Sequence, residues 1–231
     1  AALYVNHVME GRPRDSARML LEYLGPRHTM DEVLDTLEKG GIPYLKPADP
    51  WETAGQLLAR GCIGSVFQGA AEFGPRALGN RSTLSDPRPA EMKDRLNASV
   101  KFREAFRPFA PSIHAHRANE YFEGCDFSPF MLRVFPTRPE KLDEARAVTH
   151  VDGGARVQTV TREQNPNYYR LIESFEKQTG TPMVLNTSFN IRGEPIVNSP
   201  SDAVKCYLTT GMDFLVLEDV LLVKNPSIIQ S

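Results

Sequence analysis

The sequence has neither a G-x-x-x-x-G-K-[ST] loop nor a G-x-G-x-x-G turn between a strand and a helix. Both common backbone cradles for phosphate are thereby excluded. Cysteine is scarce: Cys62, Cys125 and Cys206 stand far apart and odd in number. They make no disulfide framework and point to buried thiols in a reducing, cytoplasmic compartment. No apolar run approaches the roughly 20 residues that span a bilayer, so no membrane segment is expected. A net charge of −2 over 231 residues lacks the basic excess of a general nucleic-acid binder. Repeats and low-complexity tracts are missing as well. What remains is an ordinary globular composition, long enough to bury a full core as one large or two small domains.

Against this balanced background, cations concentrate in one stretch. It holds E-F-G-P-R-A-L-G-N-R-S-T-L and then V-K-F-R-E-A-F-R-P-F-A-P. Between Arg76 and Arg117, nine Lys/Arg stand against four Asp/Glu. Arg76, Arg81, Lys101, Arg103 and Arg107 fall on backbone punctuated by Gly74, Pro75, Gly79, Pro108 and Pro111. A solvated helix face would instead alternate its charges at helical spacing. The pattern fits a polyanion site, most simply for a nucleotide or another phosphate compound. Guanidinium grips phosphate oxygens in pairs, and lysine adds a mobile point charge. A second stretch, N-T-S-F-N with Asn186, Ser188 and Asn190, followed by Arg192 and Gly193, adds hydroxyl and amide groups. Both follow predicted buried strands, where ligands of open α/β sheets collect. Structural ion pairing is the competing reading.

Other candidates are weaker. Arg156, inside A-R-V-Q-T-V, is costly in an apolar strand unless paired, and fits an anion contact and a salt bridge equally well. His114 and His116 share a predicted strand face but lack a third metal ligand at proper spacing. Arg88, Lys93 and Arg95 read as solvated charge, with Glu91 and Arg95 paired at i,i+4.

The punctuation predicts an α/β chain with a mixed sheet. Thr29 and Glu32 form a capping-box signature before a helix that Gly40-Gly41 ends. Helices are also expected at 50–60, 89–97, 166–178 and from Pro200, behind the N-cap Ser199, to Gly211. Strands are expected at 42–45, 62–68, 112–116, 130–135, 148–151, 155–160, 182–185, 214–217 and 220–223. Asp152-Gly153-Gly154 is read as a hairpin or bulged turn. The opening A-A-L-Y-V-N-H-V-M-E reads as the middle or end of a helix and not as a signal peptide. Residues 1–9 are therefore expected to be the tail of a preceding domain of a longer protein, with a connector at 11–15.

These motifs, with H-V-D-G-G-A-R-V-Q-T-V and P-M-V-L-N-T-S-F-N-I-R-G-E-P-I-V, resemble the carboxy-terminal domain of a known family. It is that of the O-carbamoyltransferases decorating antibiotics and nodulation factors, tobramycin and ansamycin carbamoyltransferases among them. The resemblance runs from about residue 61 to 223. It implies a YrdC-like domain, a twisted mixed sheet flanked by helices, over residues 26–231. Residues 1–25 would be the tail and linker of an amino-terminal sugar-kinase/actin-like domain that carries its own metal, iron. The implied reaction uses ATP and carbamoyl phosphate to make carbamoyl-adenylate with release of pyrophosphate, the carbamoyl group then passing to a hydroxyl of a small-molecule acceptor. YrdC-like domains carry Lys-x-Arg and Ser-x-Asn pairs around the nucleotide, matched here by Lys101/Arg103 and Ser188/Asn190. The resemblance adds Arg76, Arg81, Arg156 and Asn186 around the phosphates and carbamoyl group. Arg107 belongs to the same binding set, and Lys101, Arg76 and Arg156 are the expected catalytic cations. Mg²⁺ is expected on the triphosphate, with no protein ligand evident. The rival readings are an RNA-binding module, opposed by the net charge and the lack of an aromatic stacking row, and a regulatory nucleotide-binding module without chemistry.

Overall fold

The computed structural model describes residues 2–13, 23–104 and 106–230. Its largest element is a seven-stranded sheet in the order β6-β3-β7-β2-β1-β8-β9. The strands are β1 (Gly64–Phe67), β2 (Arg81–Ser85), β3 (Ala110–His114), β6 (Gln158–Val160), β7 (Met183–Ser188), β8 (Phe214–Leu217) and β9 (Val220–Val223). β4 (Val134–Pro136) and β5 (Gly154–Arg156) form a separate antiparallel pair. The sheet is mixed: β1 runs parallel to β8 and β3 to β6, and the other neighbours are antiparallel.

The helices are α1 (Ala2–Tyr4), continued by a π-turn over Val5–Met9, α2 (Met30–Lys39), α3 (Pro50–Ala59), α4 (Met92–Leu96), α5 (Ala118–Tyr121), α6 (Pro166–Thr179), α7 (Pro200–Thr209) and α8 (Ser227–Gln230). Strand alternation assigns their places. Val66, Val184, Phe214, Val216 and Leu221 pack with α3 and α6. Phe67, Met183, Leu185, Leu215, Leu217 and Leu222 face the opposite side, with α2, α4 and α7. Both faces of the sheet are therefore covered, and β8 and β9 read as continuous apolar runs.

The capped helices form as expected. Thr29 and Glu32 close a capping box on α2, and Ser199 and Asp202 close another on α7. Four expected strands differ. Residues 42–45 make only a bridge, Leu45 to Leu221. The run 130–135 contributes only β4, because Met131 turns at φ +52° and buries against Leu78 and Ala110 instead of extending. Residues 148–151 form turns, closed by the His150 N–H donating to the Gly154 carbonyl at 2.7 Å, and the expected strand 155–160 divides at Val157 between the two sheets. Arg81, placed by the sequence in a loop, begins β2. The connector expected at 11–15 lies partly outside the described residues.

Candidate functional site

The site begins where α4 runs on as a π-turn, Asn97–Lys101. Such one-turn π segments recur at functional positions. Phe102 closes the turn in the left-handed region at φ +47°, its N–H donating to the Asn97 carbonyl. This reversal sends the Lys101 side chain inward, leaving it 4% exposed, while Phe102 stays half-exposed. Lys101 Nζ donates to the Ser188 carbonyl and to Asn190, whose carbonyl and Oδ1 lie at 3.0 and 2.8 Å. Ser188 Oγ is 3.3 Å from Nζ and donates to Asn190 Oδ1 at 2.7 Å. The end of β7 is thus tied to the π-turn through one ammonium. Burial, then Arg103, pushes the Lys101 pKa down to about 7.

A pocket of about 170 Å³ opens beside this knot, lined by Lys101, Arg103, Arg107, Ser188, Asn190, Ile191, Arg192 and Gly193. Arg103 lies over the Phe109 ring at 4.4 Å and donates from Nε to Asn97 Oδ1 at 3.2 Å. Burial, then Arg107 and Arg156, brings its pKa down to about 10. Arg156, at the end of β5, is itself lowered by burial and then by Arg76. The cations therefore form a row from Arg107 through Arg103 and Arg156 to Arg76. Buried Nε atoms of Arg76 and Arg156 have no hydrogen-bond partner. The acid beside the row is Glu104, which pairs with Arg192 at 3.1 Å and Arg107 at 3.9 Å. With one acid beside several cations, a row of this kind favours an anion of several charges.

Two predicted binding residues face elsewhere. Arg81 is fully buried, its guanidinium 3.5 Å above the Phe67 ring and donating to the carbonyls of Gln68 (2.6 Å), Asn80 (2.9 Å) and Gly69 (3.1 Å). It braces the β1–β2 loop that presents Arg76. Asn186 is equally buried, its Nδ2 within 3.1 Å of the Ala77 carbonyl, Ser112 Oγ and Gln158 Oε1. Gln158 in turn donates to the Leu78 carbonyl at 2.9 Å. The loop is thus held from below by strand side chains. Glu72 holds it from within: its Oε1 accepts from the N–H groups of Leu78, Asn80 and Arg81 at 2.7, 2.8 and 3.1 Å. Glu72, Gln158 and Ser112 escaped the sequence reading. Their signals were an acid inside a basic loop and polar residues inside apolar strands.

The flanking readings also shift. Arg88 is not simply solvated but forms a forked pair with the 4%-exposed Asp86 at 2.7 Å, and the Arg95 guanidinium donates to the Gly61 carbonyl at 3.1 Å. His114 is buried, stacked on Tyr169 at 4.1 Å and 3.2 Å from Glu176. Among the described residues no group of three or more His, Cys, Asp or Glu is arranged to hold a metal. No helix among them is long and apolar enough to cross a membrane.

Comparison with known proteins bears on what such a row serves. A family model described as "Carbamoyltransferase C-terminus" matches residues 55–224. Nodulation protein NolO of Bradyrhizobium diazoefficiens is 46% identical across 100% of this chain and 43% of its own length. The 3'-hydroxymethylcephem-O-carbamoyltransferase of Amycolatopsis lactamdurans is 40% identical across 82% of this chain and 36% of its own. The chain therefore spans about two fifths of the relatives it matches. Among solved structures, T. kodakarensis HypF overlays 74% of this chain at a TM-score of 0.49 and 17% identity, too loose a likeness to build on.

Proposed function

This chain belongs to the carbamoyltransferase C-terminus family, and from that premise we propose that its cation row makes carbamoyl-adenylate from ATP and carbamoyl phosphate. The observation that carries the reading is the Lys101–Ser188–Asn190 knot opening onto a pocket lined by Arg103 and Arg107, with Arg156 acting on Arg103, Arg76 on Arg156, and Glu104 as the acid beside them. In the step itself, an oxygen of carbamate, freed by hydrolysis of carbamoyl phosphate, bonds to the α-phosphorus of ATP. The bond from that phosphorus to the α,β-bridging oxygen breaks, and pyrophosphate leaves with the electron pair. Carbamate is already an anion, so no general base is required. The chain's part is positioning and neutralisation of growing negative charge.

Lys101, Arg103 and Arg107 hold the polyphosphate, Ser188 and Asn190 orient it, and Arg76 and Arg156 meet the α-phosphate and carbamoyl oxygens. Among the described residues the carboxylates beside the pocket are engaged by cations, Glu104 by Arg107 and Arg192 and Glu194 by Lys205, so the donor set does not fit a protein-held Mg²⁺; no step is derived through the ion. Residues 26–231 are proposed as the adenylating unit. The remaining length of the full protein would select the hydroxyl acceptor and complete the transfer. ATP–pyrophosphate exchange in the presence of carbamoyl phosphate tests the reading. Lys101→Ala and Arg156→Ala are each expected to slow it by about 10²- to 10³-fold. Undiminished exchange in Lys101→Ala would remove the assignment, and binding of RNA in preference to ATP would favour the RNA-binding alternative.

A further inference from the structure

We propose that Glu218, on the turn between β8 and β9, is a positioning residue for the loop that bears Arg76, a role whose effect on rate rests on the adenylation reading above. Glu218 is the first of the two residues joining β8 to β9, and it sits at φ +52°. Glycine is the residue favoured at such a position in a two-residue hairpin turn, and a glutamate there is strained. The strain persists because Glu218 is held at both ends. Its N–H donates to the Phe67 carbonyl at 2.8 Å, and its Oε1 accepts from the Gly69 N–H at 2.8 Å. One residue thereby brackets Gln68 at the point where the chain leaves β1.

The Gln68 carbonyl, in the same peptide unit as the Gly69 N–H that Glu218 holds, and the next carbonyl, that of Gly69, are the ones that accept from Arg81. Arg81 also binds the Asn80 carbonyl, so a single guanidinium joins the loop's exit from β1 to its entry into β2. That guanidinium is buried, and the carboxylates of Glu72 and Glu218 both favour its charge. A buried cation needs such compensation. Arg27 and Asp219 also act on Glu218. Neither Glu218 nor Arg81 lines the Lys101 pocket. Their reach ends at the loop that carries Arg76, just after its exposed residues 73–75. A displacement of about 1 Å in a catalytic group can cost on the order of 10² in rate.

Glu218→Gly in the full-length protein separates positioning from mere stability. The glycine relieves the turn, so the thermal midpoint is expected to stay within about 3 °C. Amide hydrogen exchange at Gly69, Asn80 and Arg81 is expected to accelerate at least about tenfold, and turnover in ATP–pyrophosphate exchange to fall about tenfold. In an Arg76→Ala background the same change should alter the rate less than about twofold, because the loop then carries no cation to misplace. Glu218→Gln keeps the acceptor for Gly69 and should leave those amides protected. Unchanged amide exchange in Glu218→Gly, failure of that variant to fold, or an equal rate loss with and without Arg76 would each overturn the role. If the unaltered protein shows no ATP–pyrophosphate exchange, the adenylation reading fails, while the amide exchange still decides the loop.

Discussion

At the scale of single residues, Lys101 is a cation drawn in two directions. Burial, and then Arg103 and Arg107, pushes its pKa down to about 7, against the Ser188 and Asn190 oxygens that favour the ammonium. An unfolded lysine titrates at about 10.4, so between about pH 7 and about pH 10.4 the unfolded chain holds more protons. Stability therefore rises with pH across that window and is flat below it for this group. A bound polyphosphate would reverse the imbalance by favouring the charged amine. Calorimetry of ATP binding at pH 8, in buffers of different ionisation enthalpy, should show uptake of up to about one proton. The uptake should vanish in Lys101→Met; its persistence there would assign the proton to another group. Asn186 illustrates the opposite kind of residue. Its Nδ2 serves a buried cluster beneath the loop. Asn186→Ala is expected to lower unfolding free energy by about 1–3 kcal/mol in a denaturant titration. Residue chemistry alone could not separate these cases: Arg81 and Asn186 carry the same groups as Arg103 and Asn190. Only the strand pleat decides that the first two point into the protein.

Among the elements, helices with end signals were legible, as were the apolar strands 214–217 and 220–223; several short runs without such signals were not. Thr29 with Glu32, and Ser199 with Pro200, mark helices through hydrogen bonds local in sequence. Short apolar runs carry no such mark. F-M-L-R-V-F has strand composition, yet only Val134 and Phe135 join a strand, the separate β4, and long-range packing of Met131 on Leu78 and Ala110 bends the rest away. β2, R-S-T-L-S, lies within the glycine- and proline-punctuated basic stretch and is polar; the Ser65–Thr83 hydrogen bond, 2.8 Å between two buried hydroxyls, satisfies it within the sheet. The α3–α6 contact makes a test at this scale. A Cβ on Gly55 would meet the Leu171 carbonyl at 2.5 Å and Ser174 Cβ at 2.6 Å. Gly55→Ala would raise intrinsic helix propensity by up to about 1 kcal/mol, but overpacking typically costs about 1–3 kcal/mol. The helices must separate, so net destabilisation is expected on denaturant unfolding. A stabilised Gly55→Ala would show that α3 can shift on α6 without strain.

For the whole molecule, the relevant quantity is how unevenly a small net charge is distributed. The chain carries −2 overall, yet the row from Arg107 to Arg76 is positive with Glu104 as its neighbouring acid. An anion is therefore drawn to one cleft while the rest of the surface attracts it little. The row is also layered by depth: Arg107 and Arg192 have side chains 55% and 63% exposed, whereas Lys101 is buried. Salt should discriminate between the layers, because it screens exposed charges far more than buried ones. Between 10 and 100 mM salt the Debye length falls from about 30 to about 10 Å. ATP affinity is expected to weaken on the order of tenfold over that range, most of it through the exposed pair. Arg107→Gln combined with Arg192→Gln should weaken binding at low salt and flatten its salt dependence, leaving the contribution of Lys101 in place. Affinity that ignores salt in the unaltered protein, or a slope unchanged in the double variant, would mean that the exposed cations do not meet the ligand. The binding energy would then have to come from the buried knot of Lys101, Ser188 and Asn190 alone.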